Sequence, residues 1–216
     1  MPIFLLSDDI SFPPPHLAEK DGLLAVGGDL SQQRILAAYA GGIFPWYTED
    51  SPILWWSPDP RLVLFPDELV VSRSLRQCIR KGQFTVSFNR AFDQVIRSCA
   101  EIRRKEQTGT WITGEMEAAY SALHRSGHAV SVEAWENDEL AGGLYGIVMG
   151  KAFFGESMFA RKSNASKAAF VAFVEHLRLE GFKIIDCQMR TGHLLSLGAR
   201  EIPRTDYLKI LKKALK

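Results

Sequence analysis

The chain has 216 residues, 46% of them apolar, and a formal net charge of +1. That is enough apolar matter for a packed core, and no apolar run reaches the length of a membrane span. The three cysteines, Cys78, Cys99 and Cys187, form no CxxC or CxxH pair, which argues against a disulfide framework and a cysteine zinc site. The first residues, MPIFLLSDDISFPPP, lack the basic start and continuous apolar stretch of a secretory signal. The expectation is a cytoplasmic, metal-free protein.

In chain order, GLLAVGGDLS is apolar and then turns at Gly27-Gly28-Asp29. Ser31 is placed to cap a helix of about 32–40, with Gly41 at its end. The next stretch, GGIFPWYTEDSPILWWSPDPR (41–61), holds three of the five tryptophans and four of the ten prolines. Proline removes backbone donors and restrains its neighbour, so a loop-rich segment is expected. The first sixty or so residues read as a small unit with a thin core that leans on the rest.

Ser72 caps a predicted basic helix of 73–81, and QFTVSFN alternates as a strand does. Asn89 is expected to cap a helix over 90–106, with Phe92, Val95, Ile96 and Cys99 on its apolar stripe. TGTWIT is a connector, and GEMEAAYSALHRSG a helix closed by Gly127. Between Ser72 and Glu106 there are nine Arg/Lys and three Asp/Glu, a local net of +6. That block reads either as one basic face for nucleic acid or as two solvated helix surfaces.

Three strands in a meander follow: AVSVEAW, a turn at Asn137-Asp138, ELAGGLYGIVMG, and KAFFGESMF after Gly150-Lys151. A long helix is predicted over 165–180. FKIIDCQM is short, apolar and β-branched, the pattern of a buried central strand. TGHLLSLGAR makes a last turn before a terminal helix, TDYLKILKKALK. The expected class is α/β (α+β), and the element order suggests an acyltransferase-type fold with a mixed, mostly antiparallel sheet. In the GNAT superfamily a glycine-rich loop brings a cofactor pyrophosphate to the N-terminus of such a helix. The corresponding loop here, ARKSNASK, has no glycine, which argues against acetyl-CoA.

Glu156 in FGES, and Asp186 and Gln188 in IIDCQ, are polar groups in apolar strands, costly to bury without partners. They form either a reaction site or a structural network with Arg190 or Lys167 as counter-ion. Alternation places Asp186 and Gln188 on one face and Cys187 on the other. Cys187 reads as core, since nothing nearby would lower its pKa. Tyr120, Leu144, Phe153, Met158, Phe173 and Ile185 are most simply core, and some of them could line an apolar pocket.

The runs GLLAVGGDLS, GIFPWY, ILWWSPDPR, TWIT, GHAVSVE, GESMF, NASK, IDCQ and LGAREIPR, in that order, closely resemble the bacterial leucyl/phenylalanyl-tRNA–protein transferase family over nearly the whole chain. The resemblance implies a small N-terminal domain, residues 1–62, followed by a GNAT-like catalytic domain, residues 63–216. It implies transfer of Leu or Phe, sometimes Met, from aminoacyl-tRNA to the α-amino group of proteins that begin with Arg or Lys. Such products enter N-terminal-rule degradation. No cofactor and no metal are implied. A monomer with no membrane partner is expected.

By the same resemblance Trp46 and Trp111 hold the 3′-terminal adenosine, while Trp55 and Trp56 support the loop. The aminoacyl side chain enters a pocket formed by Tyr120, Leu144, Phe153, Met158, Phe173 and Ile185. Leu144 stands where some relatives carry Met, which alters the pocket's shape. Arg73, Arg76, Arg80 and Lys81, at the head of the basic block, meet the tRNA backbone. Asp186 is expected to orient and polarise Gln188, whose oxygen accepts a hydrogen bond from the attacking amine, and Glu156 to hold the amine or the ribose. Two other functions fit the residues. An N-acetyltransferase of the same superfamily is disfavoured by the ARKSNASK loop. A non-catalytic tRNA-binding module is disfavoured by the buried polar trio.

Overall fold

The computed structural model describes residues 3–101 and 112–216. A four-stranded sheet is built from β1 (Phe4–Leu6), β2 (Leu23–Gly27), β3 (Phe44–Pro45) and β4 (Leu54–Trp56), in the order β1-β2-β4-β3. Helix α1 (Gln32–Ala40) sits between β2 and β3, and the Ser31 hydroxyl caps it by accepting the Arg34 N–H. The tryptophan- and proline-rich stretch is therefore two short strands joined by a loop. Trp55 is fully buried and donates to the Gly27 carbonyl at 2.9 Å.

The second sheet has seven strands: β5 (Arg61–Leu64), β6 (Thr85–Phe88), β7 (Ala129–Glu136), β8 (Glu139–Met149), β9 (Ala152–Ala160), β10 (Ile184–Gln188) and β11 (Arg200–Ile202). Their order is β11-β5-β10-β9-β8-β7-β6. All neighbours are antiparallel except β9 and β10, which run parallel. The sheet is thus mixed and mostly antiparallel, as expected. Asn137 and Asp138 take φ of 52° and 63° in the β7–β8 turn, the left-handed pair that a two-residue hairpin needs.

Helices α2 (Arg73–Arg80), α3 (Phe92–Glu101), α4 (Gly114–Arg125), α5 (Ala165–Leu179), α6 (Gly192–Leu195) and α7 (Arg204–Ala214) cover the sheet. One face packs on α5 and on Leu75 of α2. The other packs on α3, α4 and α7, and its core continues without a break into the small sheet through Leu24, Tyr39 and Trp55. Arg73, Arg76 and Arg80 of α2 and Arg97 of α3 therefore lie on opposite faces of the sheet, while Arg103, Arg104 and Lys105 of the charged block lie outside the described residues. Asn89 also departs from expectation. At φ 57° its side chain accepts the Ser131 N–H at 3.0 Å, and Glu133 accepts the Ala91 N–H just before α3. The tail of the predicted helix, 102–106, lies outside the described residues.

Candidate active site

The site grows from the parallel pair. Strands β9 and β10 pair at Ile184↔Ala152, Ile185↔Phe153 and Asp186↔Phe154, and the ladder stops there. Just beyond, each strand carries one extra residue. On β9, Gly155 faces Gly146 and Ser157 faces Tyr145, which leaves Glu156 unopposed. On β10, Asp186 faces Val63 and Gln188 faces Leu62, which leaves Cys187 unopposed. A bulge bends its strand and re-aims a side chain. Two bulges side by side part the strands.

A cavity of about 650 Å³ opens at this gap, within the usual range for small-molecule sites. Leu144, Phe153, Met158, Phe170 and Ile185 form its apolar wall, and Trp46 lines it from the small sheet. Gly146 makes the wall possible. A Cβ there would meet the Phe154 carbonyl oxygen at 2.1 Å and the Phe153 ring at 2.5 Å. Glu156 and Gln188 stand where the apolar wall meets the split.

Glu156 accepts hydrogen bonds from Tyr39 (2.7 Å) and Tyr120 (2.9 Å) through their hydroxyls, and from Gln188 Nε2 (2.9 Å). Its remaining exposure is toward the cavity. Burial pushes its carboxyl up to about 7, against the pull of the two tyrosine bonds. Burial likewise raises the Tyr39 and Tyr120 hydroxyls, so both remain donors.

Asp186 is fully buried behind the cavity and does not line it. Its counter-ion is Arg61, which donates Nε to Oδ1 at 2.8 Å and Nη2 to Oδ2 at 2.7 Å. Neither Arg190 nor Lys167 takes that part. Tyr207 donates its hydroxyl to Oδ2 at 2.7 Å. The expected contact from Asp186 to the Gln188 side chain is replaced by one to the backbone, where the Gln188 N–H donates to Oδ1 at 2.9 Å. The bulge also breaks the expected alternation, and Gln188 lines the cavity together with Cys187. Burial pushes the Cys187 thiol well up, so it stays protonated.

The family model described as Leucyl/phenylalanyl-tRNA protein transferase matches residues 63–212, and that of the family's N-terminal domain matches residues 28–59. The chain belongs to the leucyl/phenylalanyl-tRNA–protein transferase family. A relative of that name from Syntrophobacter fumaroxidans is 60% identical over 211 residues, covering 98% of this chain and 90% of that one. Another, from Anaeromyxobacter sp. (strain K), is 61% identical over 215 residues, covering 100% and 92%. Two solved structures show a remote likeness. The L-PGS of Bacillus licheniformis aligns with a TM-score of 0.45 at 12% identity, over 78% of this chain and 53% of that one. A GCN5-related N-acetyltransferase from Kribbella flavida aligns at 0.37 and 10%, over 77% and 59%. Neither carries weight for function.

The transferase family comprises aminoacyltransferases, and the residues its resemblance singled out do not all meet at one place here. Trp46, Leu144, Phe153, Glu156, Met158, Ile185 and Gln188 line one cavity. Tyr120 and Phe173 do not line it. Tyr120 serves Glu156, and Phe173 backs Phe153 at a ring distance of 4.7 Å, while Phe170 takes the place at the wall. Arg73, Arg76, Arg80 and Lys81 are exposed on and just after α2. Trp111 lies outside the described residues. Sequence reasoning missed Arg61, Tyr39 and Tyr207. Arg61 had a signal, because an arginine opening the apolar run RLVLF needs a buried acid as much as Asp186 needs a base. Among the described residues no group of three or more His, Cys, Asp or Glu could hold a metal, and no helix is long and apolar enough to cross a membrane.

Proposed function

We propose that this chain transfers Leu or Phe, and also Met, from aminoacyl-tRNA to the α-amino group of proteins that begin with Arg or Lys, marking them for N-terminal-rule degradation. Residues 1–62 and 63–216 act as two units around one site in a monomer. The reading rests on one observation: an apolar cavity of about 650 Å³ that ends at Glu156 and Gln188, with Trp46 on its lining. The cavity has room for a Leu or Phe side chain and more besides, and this reading sets the ester carbonyl beside the polar pair.

Trp46, with Trp111, stacks on the terminal adenine, a contact that needs only the π-face of the base. Arg73, Arg76, Arg80 and Lys81 meet the acceptor-stem phosphates. The acceptor's ammonium gives one proton to the Glu156 carboxylate. The freed amine, held by the Gln188 oxygen, attacks the ester carbonyl carbon. As the new C–N bond forms, the bond from that carbon to the ribose oxygen breaks, and the second amine proton goes to the leaving hydroxyl. Glu156 then returns its proton to solvent. Positioning of the two reactants supplies much of the acceleration.

The test uses purified protein, radiolabelled leucyl-tRNA and two peptides that differ only at residue one, Arg or Ala. Label on the Arg peptide alone is the expected result. Label on both overturns the acceptor rule. Label on neither, with salt-sensitive tRNA binding intact, points to a binding module instead.

A further inference from the structure

We infer that Arg61 and Tyr207 are positioning residues for the transfer, acting through Asp186 on the backbone of Gln188. The kinetic part of this inference rests on the proposed reaction, and the structural part does not.

Gln188 holds an unusual backbone. Its φ is +61°, and the Met189 N–H donates to the Cys187 carbonyl at 2.7 Å. A bond from residue i+2 back to residue i across a left-handed centre is the rare, strained form of γ-turn. For a non-glycine residue such strain persists only where the surroundings over-determine it. The turn carries Gln188 off the strand's alternation and into the cavity, where Nε2 reaches Glu156.

Asp186 is what holds the turn. Its Oδ1 accepts the Gln188 N–H two residues on, the local bond that aspartate makes to stabilise turns. All its remaining acceptor capacity is spent on fixing the carboxylate itself. Oδ1 also takes Arg61 Nε, and Oδ2 takes Arg61 Nη2 and the Tyr207 hydroxyl. A carboxylate has about four lone-pair sites, and four donors occupy them. None is left for a substrate amine or for the Gln188 side chain, so Asp186 works as an anchor and not as a proton acceptor.

The clamp is itself supported. The Arg61 guanidinium lies between the rings of Phe44 (4.7 Å) and Tyr207 (4.8 Å). Tyr207 rides on α7, whose first residue is pinned to the loop before β5. There the Arg204 N–H donates to Asp59 at 3.0 Å, and its guanidinium donates to the Ser57 carbonyl. Stability alone does not explain this cluster. A buried ion pair repays its desolvation poorly, and among the described residues Arg61 Nη1 finds no hydrogen-bond partner.

The test compares Tyr207→Phe, which removes one oxygen, and Arg61→Lys, which loses the paired donors. Amide exchange at Gln188 should be at least tenfold faster in both, with Ile184 and Ile185 as unchanged internal controls of folding. In the transfer assay kcat should fall about tenfold or more, with KM for aminoacyl-tRNA within twofold. In a Gln188→Ala background Tyr207→Phe should cause no further loss. Unchanged exchange at Gln188 in Tyr207→Phe overturns the inference, as does an equal loss of kcat with and without the Gln188 side chain. If Arg61→Lys fails to fold, Tyr207→Phe decides. If the unaltered protein transfers nothing while the exchange responds, the anchor stands and the transfer reading falls.

Discussion

Gln188 Nε2 donates to Glu156 Oε1 at 2.9 Å across the gap where β9 and β10 have ceased to pair. The two side chains bridge a break in the sheet. Glu156, lifted to about 7 by burial, changes charge within the range where an acceptor amine also becomes reactive.

The rate of transfer should therefore rise with pH through about 7 and then level off. The Tyr39 hydroxyl bond holds the Glu156 value down, so Tyr39→Phe should move the rising limb to higher pH. kcat/KM measured from pH 5.5 to 9 for both proteins checks this. Coincident limbs would detach Glu156 from the rate.

Glu156 should also weaken the fold it serves. Its folded value of about 7 lies above the ordinary 4.5. Between those pH values the unfolded chain releases the proton while the folded chain keeps it, so stability falls as pH rises through that window. Above it both states are ionised, and the full cost, of the order of 3 kcal/mol, remains. Glu156→Gln should match the unaltered protein in Tm near pH 4.5, exceed it at pH 8, and lose transfer. Calorimetry at both pH values tests the sign.

Trp46 packs edge-on against Trp56 at 5.6 Å, and Trp56 Nε1 donates to the Trp46 carbonyl at 2.7 Å. Its ring is thus set before any base arrives. Trp46→Ala should weaken aminoacyl-tRNA binding by about 1–3 kcal/mol, and Trp46→Phe by less. Filter binding at fixed salt reads both. Equal affinity for all three proteins would remove the stacking role.

The opposed placement of α2 and α3 gives a salt test. Replacing Arg73, Arg76, Arg80 and Lys81 by Gln should flatten the plot of log affinity against log salt by roughly 0.7–0.9 for each phosphate no longer neutralised. Arg97, exposed on α3 across the sheet and paired with Glu117, should leave the slope unchanged when replaced. A slope that responds only to Arg97 would move the RNA to the other face.

Gly146→Ala should cost more than about 2 kcal/mol, because its Cβ would strike backbone at 2.1 Å as well as the Phe153 ring. Denaturant melts give the number, and a loss below about 0.5 kcal/mol would mean that the wall yields.

Much of the scaffold is legible in the sequence because its signals are local. Ser31 and Ser72 cap the helices that follow them, and Asn137-Asp138 turns the hairpin. The meander and the central strand IIDCQ follow from alternation and β-branching. What escapes reading depends on distant partners. A bulge leaves a strand's composition untouched, so nothing around Cys187 announces that Gln188 will face the cavity. The Arg61–Asp186 pair spans 125 residues. Asn89 has every local mark of a helix cap and is taken instead by Ser131, 42 residues on. Tyr120 and Phe173 group with the pocket because a sequence does not separate a wall from what stands behind it.

Tyr207 has a consequence for how far from the cavity a change can act. The hydroxyl that completes the Asp186 clamp comes from α7, whose start is tied to the loop before β5 by the bonds of Arg204. By the inferred clamp, a substitution on α7 that touches neither the cavity nor the RNA reaches the turn at Gln188.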